Sequence, residues 1–144
     1  MVVKSLKNFV LFVLVVFIFN FSLFSQTSAI MKQIDEAVNQ KNSEQISEIL
    51  VKNKNSRSYK DFEDRILKRA RELLISNELD FAAEISLVVI DNNLDNFDAV
   101  ALYTSIDTAI KERDAKLKAE EERRQIEEMR VMANNEKKKK QIKK

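Results

Sequence analysis

Two hydrophobic patterns divide the chain. Phe9 to Phe19 is an unbroken run of 11 apolar residues, whereas beyond Ala29 the apolar residues return at helical spacing. Ile30, Ile34 and Val38 recur every four residues, the signature of one helix face. Asn39-Gln40-Lys41-Asn42-Ser43 interrupts that face, and Asn42 or Ser43 suits the N-cap of the next helix. Ile46, Ile49 and Leu50 give this second helix its inner side, which closes in Lys52-Asn53-Lys54-Asn55-Ser56. Tyr59, Phe62, Ile66, Ala70, Leu73 and Leu74 define a third, with Lys and Arg opposite. Asn77 marks a turn. Leu79 to Ile90 is apolar nearly all round, which predicts the most buried helix. Asp91 to Asn96 is the next turn, and Phe97 to Ile110 a fifth helix that runs on into the tail. Leu87-Val88-Val89-Ile90 has the composition of a short strand, but outside the leader it has no second strand to pair with, so helix is expected.

Composition divides the chain near 110. Residues 30–110 hold 36 apolar residues in 81, while residues 111–144 hold 9 in 34, of which 21 are charged. The tail cannot bury enough surface to fold by itself. Charge divides there too: 10 Lys/Arg against 15 Asp/Glu in residues 30–110, a net of −5, and 13 against 8 beyond, a net of +5. The expected organisation is a leader over 1–29, a helical domain over 30–110, and a charged helix with a Lys-rich end over 111–144.

The leader has a positive start at Lys4 and Lys7, the apolar run, and a more polar stretch in which Thr27 and Ala29 supply the small residues of a cleavage site. This is the pattern of a secretory signal peptide, and predicts Ile30 as the first mature residue in a periplasmic or envelope location. The alternative is an uncleaved single-pass anchor through residues 6–24, long enough to span but interrupted by Lys7, Asn8, Asn20 and Ser22. A lipoprotein would need a cysteine at the cleavage point, and the chain has none.

The stretch Ala70-Arg-Glu-Leu-Leu-Ile-Ser-Asn-Glu-Leu-Asp-Phe-Ala-Ala-Glu-Ile85, followed by Leu94-Asp-Asn-Phe-Asp-Ala99, resembles a degenerate tetratricopeptide repeat. Ala82 or Ala83 matches the small residue early in that family's second helix. Asn77 or Glu78 stands where the family has a turn glycine, and Asn96 where it has proline. The resemblance covers roughly residues 57–110, with a fainter echo at a shift of 35 that relates Val38, Asn42, Ile46 and Leu50 to Leu73, Asn77, Phe81 and Ile85. It implies antiparallel helical hairpins that dock a protein on a concave face, without chemistry, and a capping helix from Phe97 to about Leu117. Another small helical bundle would share much of this pattern.

Candidate chemistry is sparse. There is no Gly to cradle phosphate and no His or Cys for zinc, haem or a nucleophile pair, so neither an enzyme nor a cofactor is expected. Asp91, Asn93 and Asp95 sit at calcium-loop spacing, but Asn96 replaces the glycine and Leu102 the bidentate Glu. An Asn-rich turn supplying caps is the expected reading. Glu63 and Asp64 are expected on a solvated helix face. Glu72 to Ile110 has eight acids and no base, and Glu72, Glu78, Asp80 and Glu84 are the candidate face for a basic protein partner. The terminal Lys137, Lys138, Lys139, Lys140, Lys143 and Lys144 are the candidate contact for an anionic membrane, with nucleic acid disfavoured by export. In the tail, the Ile106, Ile110, Leu117 seam meets Glu121, Arg124 and Glu128, and Ile126, Met129 and Met132 restart it out of phase. A single solvated helix is expected, held by pairs such as Glu112–Lys116, Asp114–Lys118 and Glu120–Arg124 and fraying near Ala133-Asn134-Asn135.

Overall fold

The computed structural model describes residues 26–142, with side chains through Asn135. The apolar leader run and the residue-6–24 anchor lie outside the described residues. Within them the protein is all-helical: α1 over residues 26–39, α2 Ser43–Lys52, α3 Tyr59–Ile75, α4 Leu79–Asn92 and α5 Phe97–Ile142.

The α1–α2 and α3–α4 connections are built alike. After α1, the Asn42 N–H reaches back to the Ala37 carbonyl at 2.9 Å and the Lys41 N–H to Val38 at 3.0 Å. After α3, Glu78 reaches Leu73 at 2.9 Å and Asn77 reaches Leu74 at 3.1 Å. These are the crossed bonds of a Schellman helix end, which need a left-handed residue. Lys41 at φ 54° and Asn77 at φ 63° fill that role in a chain without glycine. The next helix then starts at once: Asn42 Oδ1 accepts from the Gln45 N–H at 2.9 Å, capping α2 as the sequence suggests. The equivalent turn residues are 36 apart, not 35. At that offset four buried positions fall on buried positions, Ile30 on Ile66, Ile34 on Ala70, Ile46 on Ala82 and Ile49 on Ile85, while others such as Phe62 and Phe81 have no buried counterpart.

The core follows the stripes. Ile34 and Val38 from α1, Ile46 and Leu50 from α2, Phe62, Ile66 and Leu67 from α3, Ile85 and Val89 from α4, and Ile106 from α5 are essentially inaccessible. The apolar stretch Leu79–Ile90 is central, α4 packing against α2, α3 and α5. Its one buried hydroxyl, Ser86, is satisfied by donating to the Ala82 carbonyl at 2.8 Å. α1 is tied to α3 by a forked Arg65–Asp35 ion pair and by Arg69 donating to Asn39 at 2.7 Å.

α5 is one continuous helix of 46 residues. Its inner face, Ala99, Leu102 and Ile106, is buried, and Ala109 and Ile110 still touch the core. From Asp114 to Asn135 every side chain is exposed. The backbone stays helical across Ala133-Asn134-Asn135, where fraying is expected from the sequence. Two asparagines each cost only about 0.7 kcal/mol against alanine, and neither Pro nor Gly interrupts the helix. The expected tail pairs also differ: Asp114 pairs with Arg113 at 3.0 Å and Arg124 with Glu121. Exposed pairs differ by so little energy that neighbouring partners exchange.

Candidate functional site

The four acids of the candidate face all have partners inside the molecule. Glu72 pairs with Arg69, Glu78 with Lys41 at 2.7 Å, and Glu84 accepts from the Ser43 hydroxyl. Asp80, in the first turn of α4, takes both arms of Arg113 from α5, at 2.9 and 3.0 Å. The Arg113 hydrogen bonds hold the Asp80 carboxyl below its usual range, and the same bonds raise the Arg113 guanidinium. Asp80 and Glu84 brace α4 against α5 and α2, Glu78 ties the α3–α4 turn to the α1–α2 turn, and Glu72 pairs within α3, so much of the charge expected to meet a partner is already matched.

Unpaired acid lies one connection further on. Asp91, Asp95 and Asp98 surround the α4–α5 turn, and none makes an ion pair with a described residue. Between them stand Leu94, 77% exposed, and Phe97, 80% exposed, with Val100 partly open on the following turn. Of the five aromatics beyond the leader, Phe62 and Phe81 are buried and Tyr59 and Tyr103 half-buried; Phe97 alone faces outward. The result is an apolar knob with an acidic rim at the start of α5.

This turn is pinned from beneath by a residue that sequence reasoning assigned to solvent. Glu63 is buried, only 2% exposed, while its neighbour Asp64 is exposed and pairs with Lys60 at 2.9 Å. The Glu63 carboxylate accepts from Asn93 Nδ2 at 2.9 and 3.2 Å and from Asn96 Nδ2 at 3.1 Å. Asn93 Oδ1 in turn accepts from the Asp95 N–H, and Asn96 Oδ1 from the Ala99 N–H at 3.0 Å, capping α5. Each asparagine therefore serves backbone with its oxygen and carboxylate with its nitrogen. The calcium-spaced turn is thus an arrangement of caps in which Asn93 turns inward. Among the described residues no group of acids is disposed to hold a metal ion. The Tyr59 phenol, half-buried close by, is raised above its ordinary value, first by burial and then by the Glu63 charge. The missed signal was spacing: Tyr59, Glu63, Ile66 and Ala70 continue at 4, 3 and 4, which puts Glu63 on the inner stripe.

At the other end of the body an open groove runs between the α3–α4 turn and α5, lined by Asn77, Leu79, Ala109, Arg113 and Leu117. Thr27 and Ala29 lie within α1. Thr27 is half-buried, its hydroxyl 3.2 Å from that of Ser58, and Ala29 is exposed. Among the described residues, burial in the core begins at Ile30. The lysine side chains at 137–140 and residues 143–144 lie outside the described residues. No helix among the described residues is long and apolar enough to cross a membrane.

Compared with known proteins, the chain matches no family model, no curated protein and no solved structure.

Proposed function

We propose that the chain is an exported, non-catalytic adaptor whose helical body resembles two tetratricopeptide-like hairpins capped by α5, and which holds a protein partner in the cell envelope. The observation that carries this reading is the pair of matching helix ends, 36 residues apart, with Ile30 and Ile66, Ile34 and Ala70, Ile46 and Ala82, and Ile49 and Ile85 buried in pairs at the same offset. Such repetition favours stacked hairpins, and stacks of this kind present surfaces for docking. The knob of Leu94 and Phe97 within Asp91, Asp95 and Asp98 is the best-developed contact surface, and its chemistry suits a basic partner with an apolar anchor. Among the described residues the first core position is Ile30, directly after the expected cleavage point, and this supports export.

The test is capture from an envelope fraction by the tagged chain at low and high salt, beside a Leu94→Ser, Phe97→Ser double variant. A specific partner that is lost at high salt and lost with the double variant supports the reading. Equal recovery by the variant refutes the assignment of the knob.

One observation favours the alternative of a retained anchor. Residues 26–29 are helical and continuous with α1, and Thr27 reaches Ser58, a contact that cleavage would remove. Sequencing the N-terminus of the cellular protein separates the two: Ile30 first means release, Met1 or Val2 first means a tether.

A further inference from the structure

α5 leaves the body with an entire face unused. Its buried residues Ala99, Leu102 and Ile106 define one side. At about 100° per residue, the opposite side is a stripe from Phe97 to Ala133, passing through Thr104, Ala115 and Ile126. Every residue of this stripe is exposed. It carries two charges, Lys111 and Glu122, on a helix whose other faces are dense with them. The seam considered in the sequence, through Ile106 and Ile110, is occupied by the body. The free seam is the one facing away from it.

The spacing along the stripe is 4-3-4-3-4-4-3-4-3-4, which reads the same in both directions about Ala115. Each half follows a heptad, and the two halves meet in a four-residue stutter at Ala115–Ala119. A second copy laid antiparallel therefore falls into register with the first. In that register Phe97 meets Ala133, Ala101 meets Met129 and Thr104 meets Ile126, so a large side chain faces a small one at each of these three levels. Near the centre, Lys111 of one copy comes beside Glu122 of the other.

Charge at the ends selects the same direction. Asp91, Asp95 and Asp98 cluster at the start of α5, and the chain's lysine run, residues 137–140, closes its far end. An antiparallel pair sets each basic end against an acidic end, twice over. A parallel pair stacks like on like. The two ends are 40 residues apart along one helix, about 60 Å, so the basic end cannot fold back on its own body. The bodies lie on the far sides of the two helices and at opposite ends, and leave the approach clear. We propose, resting on the reading of the Leu94–Phe97 surface as a contact site for a basic partner, that this partner is a second copy of the chain, which lies antiparallel on the outward face of α5 with Ala115 against Ala115 about a two-fold axis.

The chain has no cysteine, so a single introduced one reports position without background. Ala101→Cys, Ala115→Cys and Ala133→Cys are made separately in the full chain, in cells that express it with its own leader. All three sites are exposed, and circular dichroism of the purified variants checks that helix content is unchanged. Under a mild oxidant, Ala115→Cys gives a disulfide-linked dimer on a non-reducing gel. Ala101→Cys and Ala133→Cys give none by themselves, because their copies sit tens of ångströms apart. Ala101→Cys co-expressed with a differently tagged Met129→Cys gives the mixed dimer. Crosslinking of all three single variants means a parallel pair and overturns the proposal. Absence of the Ala115→Cys dimer, or of the mixed dimer, overturns it equally.

Discussion

Replacing Glu63 by glutamine changes one oxygen of a buried carboxylate to nitrogen and removes its charge. A buried charge without a cation is normally a liability, so a naive expectation is that the change stabilises. The geometry argues the reverse. Both Asn93 and Asn96 present amide nitrogens to Glu63, because their oxygens are committed to the Asp95 and Ala99 N–H groups. Only a group that accepts at both of its polar atoms satisfies this arrangement. A glutamine places its oxygen at only one of the two positions, so its amide nitrogen faces either the Asn96 donor or the Asn93 donor. Loss of a hydrogen bond to a charged group costs about 1.5–3 kcal/mol, partly offset by relief of charge burial, for a net of about 2 kcal/mol. In a body of this size that lowers the melting temperature by roughly 10 °C. Asn96→Asp alone keeps the α5 cap but sets carboxylate against carboxylate, and costs at least as much. The combination Glu63→Gln with Asn96→Asp reverses the bond, since the introduced amide donates to the introduced acid. The pair should recover most of the loss, with a coupling of about 2 kcal/mol in a double-mutant cycle. Thermal and urea unfolding followed by tyrosine fluorescence suits the test, because Tyr59 lies beside the site and the chain has no tryptophan. A Glu63→Gln variant within 0.5 kcal/mol of the parent, or a double variant no better than the sum of the singles, would refute the argument.

Other expectations are simpler. Asp80 titrates below its ordinary value because of Arg113, so its contribution to stability is present above about pH 4 and is lost as pH falls through the lowered folded value. Arg113→Ala should return Asp80 to the usual carboxylate range by NMR titration and remove that acid-side loss. Asn77→Gly should raise the urea midpoint by up to about 1 kcal/mol of stability, since φ 63° carries no penalty for glycine, whereas Asn77→Val should lower it by more. Phe62→Ala should cost about 3–5 kcal/mol through a cavity in a site closed to solvent. Ile75→Ser should leave the melting temperature within 2 °C of the parent, because that side chain is 86% exposed and touches little.

Local pattern accounts for much of what is seen. The five helices, the Asn42 cap and the Asn77 turn were readable because amphipathic spacing and turn chemistry are properties of a few consecutive residues. The same is true of the apolar α4, whose residues announce a central position before any neighbour is known. The acids of α3 and α4 were less legible. Glu78, Asp80 and Glu84 read as part of a free face with Glu72 because their partners Lys41, Arg113 and Ser43 lie more than 30 residues away in the chain.

What the sequence determined by itself is the fold class: helical rods, most of them with one apolar stripe to bury. Only the tertiary structure decided the fate of Glu63, which side of α5 the body consumes, and which side it leaves outward. The physical reason is one of range. A helix needs only its own residues to form, but whether a carboxylate is wet or buried depends on donors 30 residues away, and a helix face is free only after every other element has chosen where to pack.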